Sequence, residues 1–320
     1  MKKIFITGAS GFIGKALCKN LSEKNFEVFG ATRNSKLSIN NNNFKKVLIK
    51  DIGQTKKWIN NLDKIDCIIH CAAKTHSTNE KFDFNRYNLI NAKATKILAE
   101  QAVVAGVKRL IFLSSIKVNG EISGKKSDYK IFNENDIPRP QDIYSISKFE
   151  AEKILWKISS KTGLDVVILR LPLVYGENVK GNLLRLIKLI NTGLFLPLSI
   201  DDNKRSLIGI DNLIDVITCC VEHPKKICKT FLISDGEDLS TYELSKHISL
   251  AMNRPERLFF LPKFILKLFA FFLGKSKEID RLTESLQVDS SFVRKTLNWT
   301  PPFSTKEGIK RMIKKNDPII

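Results

Sequence analysis

The feature that most constrains this chain is the alternation of two hydrophobic periods along its first half. Short apolar runs, "KIFIT", "FEVFGAT", "KVLIK", "CIIHCA", "RLIFLSS" and "VVILRL", are rich in Ile, Val and Phe. Between them lie stretches with an apolar residue every three or four positions, such as 94–107 and 147–163. Near-continuous apolar runs predict strands buried on both faces, which favours a parallel sheet. The intervening stretches predict helices, with Gly106 and Gly163 placed as C-terminal stops. The expected fold class is therefore α/β: a doubly wound parallel sheet with helices on both faces. After Arg170 the rhythm changes. A turn-rich "LPLVYGENVKGN" leads to a helix over 182–193, a strand–helix pair in "SLIGIDNLIDVITCCVEH", a strand in "TFLISD" and a mainly helical remainder. The 320 residues are enough for two coupled units. The expected division assigns 1–171 and 206–235 to the sheet domain, and 172–205 and 236–320 to a smaller, mainly helical C-terminal lobe.

Gly8, Gly11 and Gly14 stand at G-x-x-G-x-x-G spacing, directly after the first strand and at the start of the first helix. Glycine permits the tight turn, lets backbone N–H groups approach a pyrophosphate, and seats the helix N-terminus on it. With Phe12 and Ile13 between them, these residues predict a dinucleotide site. The end of the second strand should reach the adenosine ribose, where a carboxylate would bind the 2′-hydroxyl and select NAD. "FGATRNSK" has no carboxylate there, and its Arg33 suits a 2′-phosphate. NADP is the expected cofactor and NAD the second choice. Asp51 and Ile52 end the third strand at the adenine edge. Ala72 and Ala73 end the fourth, with small side chains where the dinucleotide backbone passes.

Tyr144 and Lys148, in "IYSISKFEAE", are four apart and share one helix face. By itself that spacing fits a solvated surface pair as well as an acid beside an ammonium group.

The formal net charge is +20 at pH 7. The lysines are scattered and few aromatic residues interleave with them, so they read as solvated faces, and no nucleic-acid partner is expected. Six cysteines form no C-x-x-C pair. The closest approach to a ligand cluster, Cys67, His70, Cys71 and His76, would have to bind from inside a buried strand. That geometry is poor for zinc, so core thiols in a reducing compartment and no metal are expected. "MKKIFITGAS" lacks the apolar stretch of a signal peptide, and the cytoplasm is the expected location. The most membrane-like segment, 258–275, is interrupted by Pro262, Lys263 and Lys267 and is too short and charged to span a bilayer. A buried helix of the second lobe is expected there, with peripheral membrane contact as the alternative.

With the glycine motif, "HCAA", "LSSIKVNG" and "YSISK" in this order, the chain resembles the extended short-chain dehydrogenase/reductase family, which modifies nucleotide-diphosphate sugars. "RLPLVYGENVKG", "RSLIGIDNLIDVI" and "LNWTPPFSTKEGI" extend the resemblance over essentially the whole chain. It implies a Rossmann domain and gives the opening pair a role. Tyr144 becomes the acid/base, and Lys148 binds the nicotinamide ribose and lowers the phenol's pKa from about 10. Ser115 hydrogen-bonds the reacting oxygen, with Ser114 as the neighbour that could take its place. Dehydratases of the family follow this Ser/Thr with an Asp-Glu pair. Here Ile116 and Lys117 stand there, so dehydration is not expected.

Among the remaining activities, the missing carboxylate after the second strand favours a reductase that exchanges NADPH. Segments such as "LVYGENVKGNLLRLIKLI" and "LISDGEDLSTYEL" resemble bacterial reductases of UDP-2-acetamido-2,6-dideoxy-4-hexuloses. The expected activity is 4-keto reduction of a UDP-4-keto-6-deoxy-N-acetylhexosamine in surface polysaccharide (lipopolysaccharide O-antigen) biosynthesis. The alternatives are a UDP-glucose or UDP-N-acetylglucosamine 4-epimerase and, in another class, a non-catalytic NADP-binding regulator or assembly subunit. The resemblance also puts Arg205 and Arg281 on the UDP-sugar's diphosphate; Asn182, at a helix start beside the cleft, fits helix capping as well as substrate binding, and Lys74 and Thr75 follow "HCAA" within reach of the sugar. It implies a homodimer through 88–106 and 144–161.

Overall fold

The computed structural model describes residues 1–55, 57–75, 83–122, 130–200, 202–272, 274 and 276–316. Among them, nine strands run in chain order. They are β1 (Lys3–Thr7), β2 (Glu27–Thr32), β3 (Phe44–Leu48), β4 (Cys67–His70), β5 (Arg109–Ser115), β6 (Asp165–Leu171), β7 (Leu173–Tyr175), β8 (Leu207–Gly209) and β9 (Lys229–Leu232). Seven form one parallel sheet in the order β3-β2-β1-β4-β5-β6-β9, and β7 pairs with β8 in a separate parallel ribbon. Strand order reverses at β1, so the crevice between the C-terminal ends of β1 and β4 is the switch point at which such sheets bind ligands. The doubly wound α/β fold expected from the sequence is present.

The helices follow as α1 (Phe12–Glu23), α2 (Phe84–Tyr87), α3 (Ala94–Val104), α4 (Ile143–Thr162), α5 (Gly181–Asn191), α6 (Ile210–Glu222), α7 (Thr241–Ala251), α8 (Lys263–Phe272), α9 (Ser276–Thr283), α10 (Ser291–Leu297) and α11 (Thr305–Asn316). A π-helical turn, Asn88–Lys93, joins α2 to α3. Period-2 alternation sorts the strands' side chains between two cores. Ile4 and Ile6 pack with Leu17 of α1 and Leu213 of α6, whereas Phe5 packs on the opposite face with Leu98 of α3 and Leu155 of α4. All seven residues of β5, and all seven of β6, are buried. Gly163 caps α4 in the left-handed region at φ 75°.

A third core joins Leu183 and Ile187 of α5 to Ile248 of α7 and Met312 of α11. Tyr175 fastens this region: its hydroxyl donates to Asp235 at 2.7 Å, and that carboxylate also accepts from Asn212 Nδ2 at 2.7 Å. The burial expected for 258–275 is not found. Phe264, Phe271 and Phe272 of α8 are 71, 71 and 77% exposed, while Leu266 is buried. The helix is apolar around most of its circumference, and one packed face leaves the rest outward. No helix among the described residues is long and apolar enough to cross a membrane. All six cysteines are free; Cys18, Cys67 and Cys220 are buried, and His76 lies outside the described residues.

Two buried polar groups hold the sheet to the helices around the C-terminal ends of its strands. Glu152 on α4 accepts two hydrogen bonds from the Arg170 guanidinium of β6, Nη2 to Oε2 at 2.6 Å and Nε to Oε1 at 3.1 Å. Arg170 Nη1 donates to Asn119 Oδ1 at 2.9 Å, and Ser114 Oγ donates to Glu152 Oε1 at 2.5 Å. His70, at the end of β4, lies between two hydroxyls: Thr7 Oγ1 is 2.6 Å from Nδ1, and Thr95 Oγ1 is 2.9 Å from Nε2. Thr95 spends its own proton on the Asn91 carbonyl at 2.7 Å. It therefore accepts from Nε2–H, which leaves Nδ1 to accept from Thr7. This is a complete set for neutral imidazole. Burial, reinforced by the Lys148 charge, brings the His70 pKa down to about 3.

Two outcomes are expected. Glu152→Ala leaves Arg170 as an unpaired buried charge and should lower unfolding free energy in urea by roughly 3–5 kcal/mol. Replacing both partners by Leu and Met should cost much less. Unfolded His70 binds a proton near pH 6.5 while the folded ring does not until about 3. Its contribution to stability therefore falls as pH drops through that window, by up to about 1.4 kcal/mol per unit. In urea titrations from pH 7 to 5, His70→Gln should show a shallower loss than the unaltered protein.

Candidate active site

The turn between β1 and α1 is built so that nothing fills it. Gly8 has φ +70°, and a Cβ there would come within 2.9 Å of the Ala72 backbone nitrogen. A Cβ on Gly14 would meet the Gly8 carbonyl oxygen at 2.2 Å, and Gly11 N–H donates to that same oxygen at 2.9 Å. No side chain caps α1, so the first N–H groups of Phe12 and Ile13 are left for an anion. This cradle fits a dinucleotide pyrophosphate. Ala72 and Ala73 follow β4 beside it, and Ala72 N–H donates to Thr7 Oγ1 at 3.2 Å.

At the outer end of β2, Arg33 does not stand free. Its Nη1 is 2.9 Å from Asp51 Oδ2, and its side chain is 70% exposed. Asp51 also accepts from Gly53 N–H at 2.9 Å, and Ile52 beside it is buried. The NADP preference read from Arg33 gains no support here, because a carboxylate already occupies the guanidinium and would face an incoming 2′-phosphate.

The three candidate catalytic residues converge at the C-terminal end of β5. Ser115 ends that strand, and its hydroxyl is hydrogen-bonded to the Tyr144 phenol. Tyr144 occupies the first turn of α4, set by a capping box in which Asp142 accepts from Ser145 N–H at 2.7 Å. Ser114 points elsewhere, to Glu152, so the structure separates two neighbours that the sequence left interchangeable. Lys148, one turn along α4, is buried, with Nζ 3.8 Å from the centre of the Phe112 ring.

The expected lowering of the phenol by Lys148 is not seen. Burial pushes Tyr144 up to about 12, the Asp142 carboxylate adds to the rise, and the Ser115 hydrogen bond opposes it. Lys148 is itself brought down to about 7 by burial, against the pull of Glu152 and Cys71. Burial thus weighs against the charged form of both side chains.

Above this floor opens a cleft of about 600 Å³ lined by Thr75, Ser115, Tyr144, Asn182 and Arg205, with many leucines. The structure thus brings Asn182 and Arg205 together with the catalytic pair. Asn182 is not a helix cap, since Lys180 holds that position of α5. Arg205 Nη1 donates to the Glu284 carbonyl at 2.9 Å. Lys74 stands to one side, its backbone held by Asn91 at 2.8 and 3.0 Å and its ammonium over the Tyr87 ring. Arg281 lies in α9, and its side chain is outside the description. Lys117, at the position where dehydratases carry a carboxylate, is paired with Asp142 at 2.7 Å and Glu121 at 2.8 Å.

Sequence reasoning missed the supports. Asn91, in the π-helical turn, donates to Ser147 Oγ at 2.9 Å as well as holding Lys74. Glu152 lies on the helix face of Tyr144 and Lys148, eight and four residues on, and Arg170 breaks an otherwise apolar strand run. A carboxylate on a buried face and an arginine inside a buried strand were the available signals.

The sequence pattern described as the NAD dependent epimerase/dehydratase family matches residues 4–233. UDP-glucose 4-epimerase of Vibrio cholerae is 39% identical over 314 residues, 97% of this chain and 94% of that protein. dTDP-L-rhamnose 4-epimerase of Burkholderia thailandensis is 25% identical over 302 residues, covering 80% of this chain and 82% of the relative. In fold, the chain is similar to the crystal structure of UDP-glucuronic acid 4-epimerase from Bacillus cereus in complex with NAD. The TM-score is 0.79 at 22% identity, with 99% of each chain covered. The glycine cradle, the Ser115–Tyr144 contact and the match over most of the sheet lead to one conclusion: the chain is an enzyme of the short-chain dehydrogenase/reductase type and belongs to the NAD dependent epimerase/dehydratase family.

Proposed function

We propose that the protein is a UDP-sugar 4-epimerase that works on a resident NAD. The observation that carries this reading is the 39% identity, over 97% of the chain, to the UDP-glucose 4-epimerase of Vibrio cholerae. The expectation of a 4-keto reductase rested on an exchangeable NADP, and the Arg33–Asp51 pair removes its main support. An epimerase oxidises and re-reduces one carbon, so it gains from a cofactor that stays. Against the regulator reading stands the presence of Ser115, Tyr144 and Lys148 together.

In this reading the cofactor sits on 1–171 and 206–235, and the sugar nucleotide between that domain and a lobe of 172–205 and 236–320. The diphosphate lies against Arg205, where charge-assisted, bidentate contact suits it. Arg281 is kept as a second contact, with Asn182 and Lys74 near the sugar. NAD, when bound, supplies acceptance and return of hydride at C4. Tyr144 takes the C4 hydroxyl proton in one direction and gives it back in the other, and Ser115 holds the same oxygen. Lys148 contacts the nicotinamide ribose. A homodimer through 88–106 and 144–161 belongs to the same proposal, with an NDP-sugar as the soluble partner.

Protein purified without added dinucleotide should convert UDP-glucose or UDP-N-acetylglucosamine to its C4 epimer. A requirement for stoichiometric NADPH would return the reductase reading instead. Tyr144→Phe should lower turnover by about 10²–10⁴-fold, the range for losing a general acid/base, while the NAD content of the purified protein stays unchanged. Turnover near that of the unaltered enzyme would remove the phenol from the mechanism.

A further inference from the structure

Phe264, Leu268, Phe271 and Phe272 recur at i, i+4, i+7 and i+8 on α8, and all four are exposed. This is an amphipathic stripe turned outward rather than inward. It has neighbours of the same kind. Phe260, just before α8, is 67% exposed, and Phe195, after α5, is 72% exposed. The two segments are stitched together by Leu196 N–H to Arg257 O at 2.9 Å and Phe259 N–H to Leu196 O at 3.0 Å. Scattered apolar residues on a surface need no explanation, but a cluster of this kind does.

The sequence around it leans basic. From Arg257 to Lys277 the chain has five basic and no acidic residues, between Glu256 and Glu278, and from Asn178 to Ile200 three basic and none acidic, between Glu177 and Asp201. Arg257 is fixed at the edge of the cluster, 5.6 Å above the Phe195 ring, with its guanidinium donating to the Gly193 carbonyl at 2.7 Å.

We propose that this face docks on the surface of an anionic phospholipid bilayer. The aromatic stripe would enter the headgroup–acyl boundary and the surrounding cations would meet the lipid phosphates. The charge pattern selects this occupant. A second copy of the chain would set one lysine-rich segment against another. A nucleic acid would engage the cations but leave the stripe in water. No described helix is long and apolar enough to cross a membrane, so the contact is one of lying on the surface. Leu198, three residues after Phe195, lines the cleft, so the docked face adjoins the leucine-lined side of the active site.

The test is sedimentation of the full chain with vesicles of equal parts phosphatidylglycerol and phosphatidylcholine, and with phosphatidylcholine alone. Binding is expected to the anionic vesicles, to weaken in high salt, and to be much lower on the neutral ones. The double variant Phe264→Ser/Phe271→Ser should bind at least about tenfold less, given the apolar surface removed, with an unchanged melting temperature and cofactor content. Phe264→Trp should retain binding, as an interfacial aromatic does. Failure to sediment with either vesicle, equal binding to both, or undiminished binding by the double variant would overturn the proposal. So would a solution dimer that the double variant dissociates.

Discussion

The ion pair between Glu152 and Arg170 is the contact on which the geometry of the site depends. It joins the helix that carries Tyr144 and Lys148 to the interior strand β6, and it reaches Ser114 on β5 and Asn119 just beyond it. Both charges are buried, so neither can leave without stranding the other. Because Ser114 donates into this pair, Ser115, next along the strand, turns toward the cleft. The choice of which serine meets the phenol is thus made by a carboxylate that never touches it.

A second arrangement lies beneath the cofactor turn. His70 is neutral and saturated, and its ring stacks on Phe112 at 5.6 Å between centres. The ammonium of Lys148 sits over that same Phe112. The layering gives the cation an aromatic face in place of water, yet burial still draws its pKa down to about 7. The same burial that lowers Lys148 raises the Tyr144 phenol.

The sheet was legible because continuous apolar runs and a glycine turn leave few other folds open. The β5 run matched residue for residue, 109–115. Boundaries drifted where one face meets solvent: β3 begins at Phe44, two residues before the expected start, with a half-exposed pattern. The helix expected over 144–161 begins one residue earlier, at Ile143, where the Asp142 capping box sets its start. The NADP reading of Arg33 found no support because the side chain was assigned by type and position, whereas its effect is set by its pairing with Asp51. Pairings between residues 18 apart in sequence leave no periodic trace. The outward turn of α8 was also hidden, since an apolar stripe reads alike whether protein or another medium covers it.

The π-helical turn at Asn88–Lys93 places Asn91 where its amide can clasp both faces of the Lys74 peptide and still reach Ser147. Such a turn holds one residue more than a regular helix needs. Deleting any single residue from it would restore ideal winding and remove the local bulge that carries Asn91. Asn91 would then swing off the loop that borders the cleft, so this segment should tolerate exchanges of side chain far better than any change in its length.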